Sequence, residues 1–117
     1  MRVVAGLSAK DSEKAAIALP NSCYAVVVKI DGNVIGMGRV VGDGAVFLQV
    51  CDIAVEPHYQ GQGIGKAIMQ HIVAHLNENF KGAYVSLIAD GDAQYLYARF
   101  GFKPTAPDSI GMAYMVG

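Results

Sequence analysis

Apolar and polar residues follow two different rhythms along this chain. Residues 23–30, 34–41 and 46–55 are mostly β-branched, aromatic or otherwise apolar, and such runs favour β-strands. The segments Asp31-Gly32-Asn33 and Gly42-Asp43-Gly44 separate these runs with residues typical of tight turns. The pattern therefore predicts three consecutive antiparallel strands that begin with a β-hairpin.

The second rhythm is that of α-helices. After a cluster of glycines, apolar residues recur at intervals of three and four positions on one helix face. These residues are Ile64, Ile68, Met69, Ile72, Val73, Leu76 and Phe80. A buried strand is predicted over 84–89, a short helix from 93 to about 100, and a last strand over 112–116. A further short helix is expected within 8–19, before Pro20.

Composition places the chain among globular proteins. It has 117 residues, of which 53% are hydrophobic, and a formal net charge of −1, which excludes a disordered chain. We expect one α/β domain of the α+β type over residues 1–117, with a mixed, mostly antiparallel sheet and flanking helices. Lys and Arg do not cluster, so no nucleic-acid partner is expected.

The chain also has no feature expected of a membrane or secreted protein. No apolar stretch reaches the ~20 residues that a membrane helix needs, so no membrane partner is expected. Cys23 and Cys51 lie in apolar runs, and the first residues do not read as a secretion signal. We therefore expect a cytoplasmic protein with two buried, reduced thiols. His71 and His75 have a zinc-binding spacing but no evident third ligand, so no metal is expected.

The segment from Val55 to Lys66 contains the strongest chemical signal. A predicted strand ends there, three alternating glycines follow, and the long helix begins. Glycines allow the main chain to approach an anion, and the unpaired N–H groups and positive dipole end of a helix attract phosphate. The spacing fits neither a Walker loop nor a dinucleotide-binding fingerprint. The loop predicts a ligand that bears phosphate.

Gln60, Gly63 and Gly65 match the pattern Gln/Arg-x-x-Gly-x-Gly/Ala, and with it the chain resembles the GNAT superfamily of acetyl-CoA-dependent N-acetyltransferases. A second match lies downstream, where residues 93–102 are similar to that family's Ala-x-x-Leu-Tyr-x-Arg/Lys-x-Gly-Phe segment. Two motifs in the family's order make the resemblance specific. It spans residues 23–116 and implies a GNAT-like fold.

The resemblance also implies which residues bind the co-substrate acetyl-CoA. Main-chain groups of one segment are expected to pair with the pantetheine arm, and those of a second segment to hold the diphosphate. The first segment is Ile53, Ala54 and Val55, and the second is Gln60, Gly61, Gln62, Gly63, Ile64, Gly65 and Lys66. Lys66 adds an ion pair to the phosphates, or it is a solvated lysine of the first helical turn.

The catalytic roles follow from the same resemblance. Tyr97 matches the tyrosine that hydrogen-bonds the departing CoA sulfur and is often assigned as general acid. The acceptor amine must lose a proton, and Gln49 occupies one frequent position of the family's base although an amide cannot accept a proton at neutral pH. Asp52 is our first candidate for the base, provided that a β-bulge turns it toward the side of Gln49, and Glu56 is the second; water chains are an alternative.

The start of the chain departs from the family. Relatives begin with a strand that residues 1–8 do not supply, so the N-terminal strand is expected to be missing. The domain is then natively short, or its start has been trimmed, or a partner subunit covers the edge of the first strand, as in a homodimer. We expect direct transfer of an acetyl group from acetyl-CoA to a primary amine, in a small molecule or a peptide, within a ternary complex. The alternative is a catalytically weak module of the same fold that binds CoA or acetyl-CoA.

Overall fold

A computed structural model describes residues 21–117 of the chain. They fall into two compact units, of which the first extends to Leu87 and the second spans Ile88–Gly117. The helix expected within 8–19 and the missing N-terminal strand lie outside the described residues. That residues 1–117 form one domain stays a prediction.

The first unit contains a four-stranded sheet in the order β1-β2-β3-β4. The strands are β1 (Tyr24–Ile30), β2 (Asn33–Gly42), β3 (Phe47–Val55) and β4 (Tyr84–Ser86). The first three strands pair antiparallel in chain order, and β4 pairs parallel with β3. The mixed, mostly antiparallel sheet predicted from the sequence is therefore confirmed.

The turn between β1 and β2 shows why the hairpin forms where the sequence places it. Ile30 pairs with Asn33, so the turn consists of Asp31 and Gly32. Both turn residues have positive φ, 51° for Asp31 and 81° for Gly32. Two positive φ values give a turn whose twist matches that of the flanking strands, and Asp-Gly is among the dipeptides that adopt it most readily.

The helix α1 (Ile64–Asn79) covers one face of the sheet and contacts β1, β2 and β3. Four apolar residues of its predicted face are buried. They are Ile68, Met69, Ile72 and Leu76. They pack with buried strand residues such as Val40, Leu48 and Val50, and burial of each such side chain contributes about 1.5–3 kcal/mol to folding. Two glycines of β2, Gly36 and Gly38, let the helix approach the sheet closely.

The strands β3 and β4 separate soon after they pair. Their parallel ladder joins only residues 47–49 of β3 to residues 84–86 of β4. The prediction of a strand over 84–89 was therefore too long, because residues 87–89 lie beyond the ladder and pair with none of the described strands. Among the described strands, β3 has no partner on this side beyond Gln49.

The second unit contains one short helix, α2 (Ala93–Ala98), as predicted. Its N-cap residue is Asp92, whose side chain makes no capping bond, while the Ala93 N–H donates to the Asp90 carbonyl oxygen at 3.1 Å. The predicted strand over 112–116 was wrong. Residues 112–116 pair with none of the strands described within residues 21–117, and a strand without a ladder does not persist in water. Four of their side chains are 83–90% exposed: Met112, Tyr114, Met115 and Val116.

No helix within residues 21–117 combines the length and the apolar character that crossing a bilayer requires.

Candidate active site

A β-bulge interrupts the middle of β3. Met37 pairs with Ala54 and Arg39 pairs with Cys51, so two residue steps on β2 face three steps on β3. Asp52 lies at this irregularity with φ of 56°. The left-handed conformation costs most residues about 1–2 kcal/mol, and Asp is among the side chains that tolerate it best. The bulge expected in this strand is therefore confirmed.

The bulge reverses which side chains of β3 face the helix. Before it, Leu48 and Val50 are buried on the α1 side, so Gln49 faces the other way. After it, Ile53 is on the α1 side, since its Cδ1 lies over the helix-facing side of β2. Without the extra residue, Asp52 would share the α1 side with Leu48 and Val50. The bulge instead places Asp52 on the face of the sheet that Gln49 occupies.

Asp52 forms an ion pair across to β2. The Arg39 Nε donates to the Asp52 Oδ2 at 2.6 Å, and the Arg39 Nη1 donates to the Ser22 Oγ at 3.2 Å. The side chains of Arg39 and Asp52 are only 17% and 11% exposed. A short, charge-assisted bond between two largely buried groups holds the carboxylate more firmly than a surface ion pair would.

The backbone of β3 presents hydrogen-bonding groups at the edge that β4 leaves uncovered. The Glu56 N–H donates to the Ile35 carbonyl oxygen of β2 at 2.7 Å. Because successive residues point their backbone groups to opposite edges, those of Val55 and Ile53 point away from β2. The Gln60 side chain, through Nε2, donates to the Val55 carbonyl oxygen at 3.0 Å. The Val55 carbonyl oxygen is thus already bonded to Gln60. The Val55 N–H and the backbone groups of Ile53 point away from β2 and can pair with an extended ligand that has amide groups.

The glycine-rich loop leads from β3, through a single 3-10 turn at Pro57–Tyr59, into α1. Gly61 and Gly63 have φ of 80° and 81°, which side chains rarely adopt, and a Cβ on either would meet nothing within 4 Å. The backbone therefore lies bare on the outer side of the loop.

The first turn of α1 has unsatisfied donors. Gly63 is the N-cap and supplies no side-chain capping bond, and the first bond within the helix runs from the Ala67 N–H to the Gly63 carbonyl oxygen at 3.0 Å. The N–H groups of residues 64–66 therefore have no partner within the helix. No acidic residue lies in the first turn, and Lys66 is exposed there. This end of a 16-residue helix is suited to bind the negative charge of a diphosphate.

Tyr97 lies in the second unit, on the half-buried side of α2. Its ring packs edge-on against Phe102, with ring centroids 6.4 Å apart and an angle of 68° between the planes. Burial raises the pKa of the Tyr97 phenol above its usual value, and the negative charge of Asp90 raises it further. The phenol therefore keeps its proton at neutral pH, so its O–H can serve as a hydrogen-bond donor.

Comparison with known proteins identifies the family. The sequence model described as "Acetyltransferase (GNAT) domain" matches residues 21–104 of this chain, which is well over half of its length. The chain belongs to the GNAT acetyltransferase family.

Several GNAT relatives are similar to the chain. A probable acetyltransferase from meticillin-resistant Staphylococcus aureus has 46% sequence identity and a TM-score of 0.88, over 98% of this chain and 87% of that one. GCN5-related N-acetyltransferase 2, chloroplastic, of Arabidopsis thaliana is 37% identical over 80 residues, 68% of this chain. Serotonin N-acetyltransferase 2, chloroplastic, of Oryza sativa subsp. japonica is 38% identical over 85 residues, 71% of this chain. The chain spans only 31% and 41% of the length of these two plant relatives.

The GNAT-type site residues predicted from the sequence lie in both units. The first unit contains the edge from Ile53 to Val55, the glycine-rich loop and both candidate bases. Glu56 is half-buried at the end of β3, where its carbonyl oxygen accepts the Tyr59 N–H at 2.8 Å. Tyr97 belongs to the second unit. The catalytic roles of Tyr97, Asp52 and Glu56 stay predictions.

Arg39 was missed in the sequence analysis. It is the only charged residue in the apolar stretch from Val34 to Val41, and a charged residue inside such a strand requires a partner when it is buried. That isolated charge was the signal, but the strand pattern alone does not identify the partner as Asp52.

The two cysteines and the paired histidines have ordinary surroundings. Cys23 and Cys51 are thiols, as expected, but both are half-buried rather than fully buried. His75 stacks on Tyr24, with ring centroids 3.9 Å apart and planes within 10°, and His71 is exposed. Among residues 21–117, no three His, Cys, Asp or Glu side chains are grouped so as to hold a metal ion.

Proposed function

We propose that this GNAT domain transfers the acetyl group of acetyl-CoA to a primary amine, in a small molecule or a peptide, by direct attack in a ternary complex. Members of the family use acetyl-CoA as a substrate. The observation that carries the proposal is the uncapped first turn of α1, which follows an uncovered edge of β3 in the same unit.

The two features match two parts of coenzyme A. Its pantetheine arm contains amide groups, which would add to the β3 edge from Ile53 to Val55 as an extra strand does. Its diphosphate would accept hydrogen bonds from the N–H groups of the loop and of residues 64–66. Gln60 supports this arrangement, because its bond to the Val55 carbonyl oxygen links the loop to the end of the strand. Backbone donors supply most of the binding, so the site needs few charged side chains.

The reaction has two proton requirements. The amine nitrogen attacks the thioester carbonyl, a C–N bond forms, and the C–S bond breaks to release CoA. Transfer of a proton from an ordinary phenol, with a pKa of about 10, to a thiolate whose thiol has a pKa of about 8.5 is unfavourable by about 2 kcal/mol. The raised pKa of Tyr97 increases that cost. Tyr97 therefore stabilises the departing sulfur mainly through a hydrogen bond, with the proton reaching the thiolate from solvent.

The attacking amine must also lose a proton. Gln49 cannot take it, and the carboxylate on the same face is Asp52, which remains our first candidate. Glu56, at the end of the strand, is the second, and ordered water is the third. Asp52 is already bonded to Arg39, so a role as base requires a carboxylate that serves both partners at once.

An acceptor screen with thiol detection tests the proposal. Purified protein is incubated with acetyl-CoA and a panel of amines, amino acids and peptides, and CoA release is followed against the hydrolysis background. Calorimetry measures the dissociation constant for CoA. We expect turnover with at least one amine, slowed in Tyr97→Phe by up to about 10²-fold with CoA affinity retained. Asp52→Asn is expected to slow turnover as well.

Tyr95→Phe is the matched control, because Tyr95 lies on the same helix and is 67% exposed. CoA binding without turnover on any acceptor would favour the second candidate, a CoA-binding module, for which Gln49 at a frequent base position is the supporting observation. Absence of CoA binding would refute both functions. A cytoplasmic location and a homodimer are further predictions, of which size-exclusion chromatography with light scattering tests the second.

A further inference from the structure

The Arg39–Asp52 ion pair spans the bulge of β3. Arg39 on β2 pairs through its backbone with Cys51, and its guanidinium reaches one residue further to the Asp52 carboxylate. The same guanidinium donates to the Ser22 hydroxyl, so its orientation is set from two sides. One side chain therefore connects β2 to the bulged residue itself.

The position of the bulge decides which backbone groups form the uncovered edge. Asp52 directly precedes Ile53, and its φ of 56° is the conformation that inserts the extra residue. If the extra residue were lost, each following residue would exchange edges, and Ala54 would present its backbone where Ile53 and Val55 do now. A ligand that pairs with this edge therefore requires the bulge to be retained.

We propose that Arg39 is a positioning residue for coenzyme A, acting through Asp52. Its ion pair holds Asp52 in the left-handed conformation and thereby keeps the backbone groups of Ile53 and Val55 turned toward the pantetheine arm. Arg39 itself does not touch the ligand. This inference rests on the proposed function, since it assigns Arg39 to the same CoA-binding edge.

The competing interpretation is an ion pair that only stabilises the sheet. The two interpretations differ in whether Asp52→Gly can make up for the loss of the ion pair. Glycine adopts positive φ without cost, so an Asp52→Gly chain holds the bulge without an ion pair. A purely stabilising pair is not replaced by glycine, whereas a positioning pair is.

The test measures the dissociation constant for CoA by calorimetry in the full chain. Arg39→Gln is expected to bind CoA about tenfold more weakly than the wild type. The double variant Arg39→Gln/Asp52→Gly is expected to bind CoA with a dissociation constant within about threefold of the wild-type value. Asp52→Gly alone is expected to bind CoA about as well as the double variant does. Lys29→Gln is the control, since it removes a positive charge from an exposed position on β1 of the same sheet.

Amide hydrogen exchange supplies a readout other than affinity. In Arg39→Gln, the Ile53 and Val55 amides are expected to change their exchange rates, and the double variant is expected to restore them. If Arg39→Gln fails to fold, Arg39→Met takes its place, with the same expected loss of affinity and the same recovery when combined with Asp52→Gly. Arg39→Lys keeps a cation and is expected to lose affinity by a smaller factor than either.

Three results would overturn the inference. Wild-type affinity in Arg39→Gln would show that the pair does not position the edge, and the proposed function would stand. A double variant that binds no better than Arg39→Gln would leave a stabilising pair only. Failure of the wild-type protein to bind CoA would remove the proposed function, and the inference with it, before any variant is compared.

Discussion

Gly38 is the position where a single added methyl group should disturb the contact between α1 and the sheet. A Cβ at this residue would lie 2.5 Å from the Ile53 Cδ1, 2.7 Å from the Ile68 Cγ2 and 3.0 Å from the Ile72 Cδ1. Two of these distances are shorter than carbon atoms tolerate, so the side chains of Ile53 on β3 and Ile68 on α1 would have to move. Overpacking of this kind costs about 1–3 kcal/mol, and the upper part of that range applies because three neighbours are affected.

The net change also includes the unfolded state. Replacement of Gly by Ala reduces the entropy of the unfolded chain and stabilises the fold by about 0.4–1 kcal/mol. We therefore expect Gly38→Ala to lower the free energy of unfolding by about 1–2 kcal/mol, which is roughly 4–16 °C in Tm for a domain of this size. Urea denaturation followed by circular dichroism measures the change.

Gly36→Ala is the matched control. Gly36 lies on the same strand and faces the same helix, but its added Cβ would be 3.2 Å from the Ile64 Cγ2 and 3.3 Å from the Ile68 Cδ1. Small shifts relieve such contacts, so we expect its stability to stay within about 1 kcal/mol of the wild type. Equal stability of the two variants would refute the packing argument.

A second-site change identifies the clashing atom. Ile53→Val deletes the Cδ1 nearest to the added methyl group. Alone, this change costs about 0.5–1.5 kcal/mol, but combined with Gly38→Ala it should be less destabilising than the sum by at least about 0.5 kcal/mol. Strict additivity would mean that Ile53 is not the obstacle.

Two predictions concern ionisation. Asp90→Asn removes a negative charge that raises the pKa of Tyr97, so the pKa of Tyr97 should fall toward the usual tyrosine value. Absorbance titration measures this pKa, with Tyr97→Phe as the reference. An unchanged pKa would exclude the influence of Asp90. The Asp43 carboxylate accepts hydrogen bonds from the backbone N–H groups of Ala45, Val46 and Phe47. These bonds lower the pKa of the Asp43 carboxyl, and the bond from Ala45 has the largest effect. A lowered pKa means stability that is present above the unfolded value of 3.8 and is lost as pH falls through the folded one. The stability difference between wild type and Asp43→Ala should therefore shrink below about pH 4. A constant difference would contradict the hydrogen-bonded carboxylate.

Local features of the molecule could be predicted from the sequence because their causes lie within a few residues. Asp31-Gly32 adopts the two positive φ values that its turn needs, and the spacing of Ile64, Ile68 and Ile72 marks the helix face that is buried. The glycine-rich loop was identified for the same reason. Its chemistry depends on backbone donors at a helix start, which the order of residues specifies directly.

Other features depend on residues that are distant along the chain. The strand over 84–89 was predicted too long, since only the divergence of β3 and β4 decides where the parallel ladder stops. The apolar residues at 112–116 have strand character, but they join no ladder among the described strands, because apolar character alone does not supply a partner.

The sequence by itself determined the order of the elements from β1 to α2, the family and the position of the glycine-rich loop, because each depends on local conformation or on short motifs. The tertiary structure decided that Asp52 shares a face with Gln49 and that Arg39 forms an ion pair with it. Those relations depend on the register between β2 and β3, and register is set by the packing of whole strands against α1.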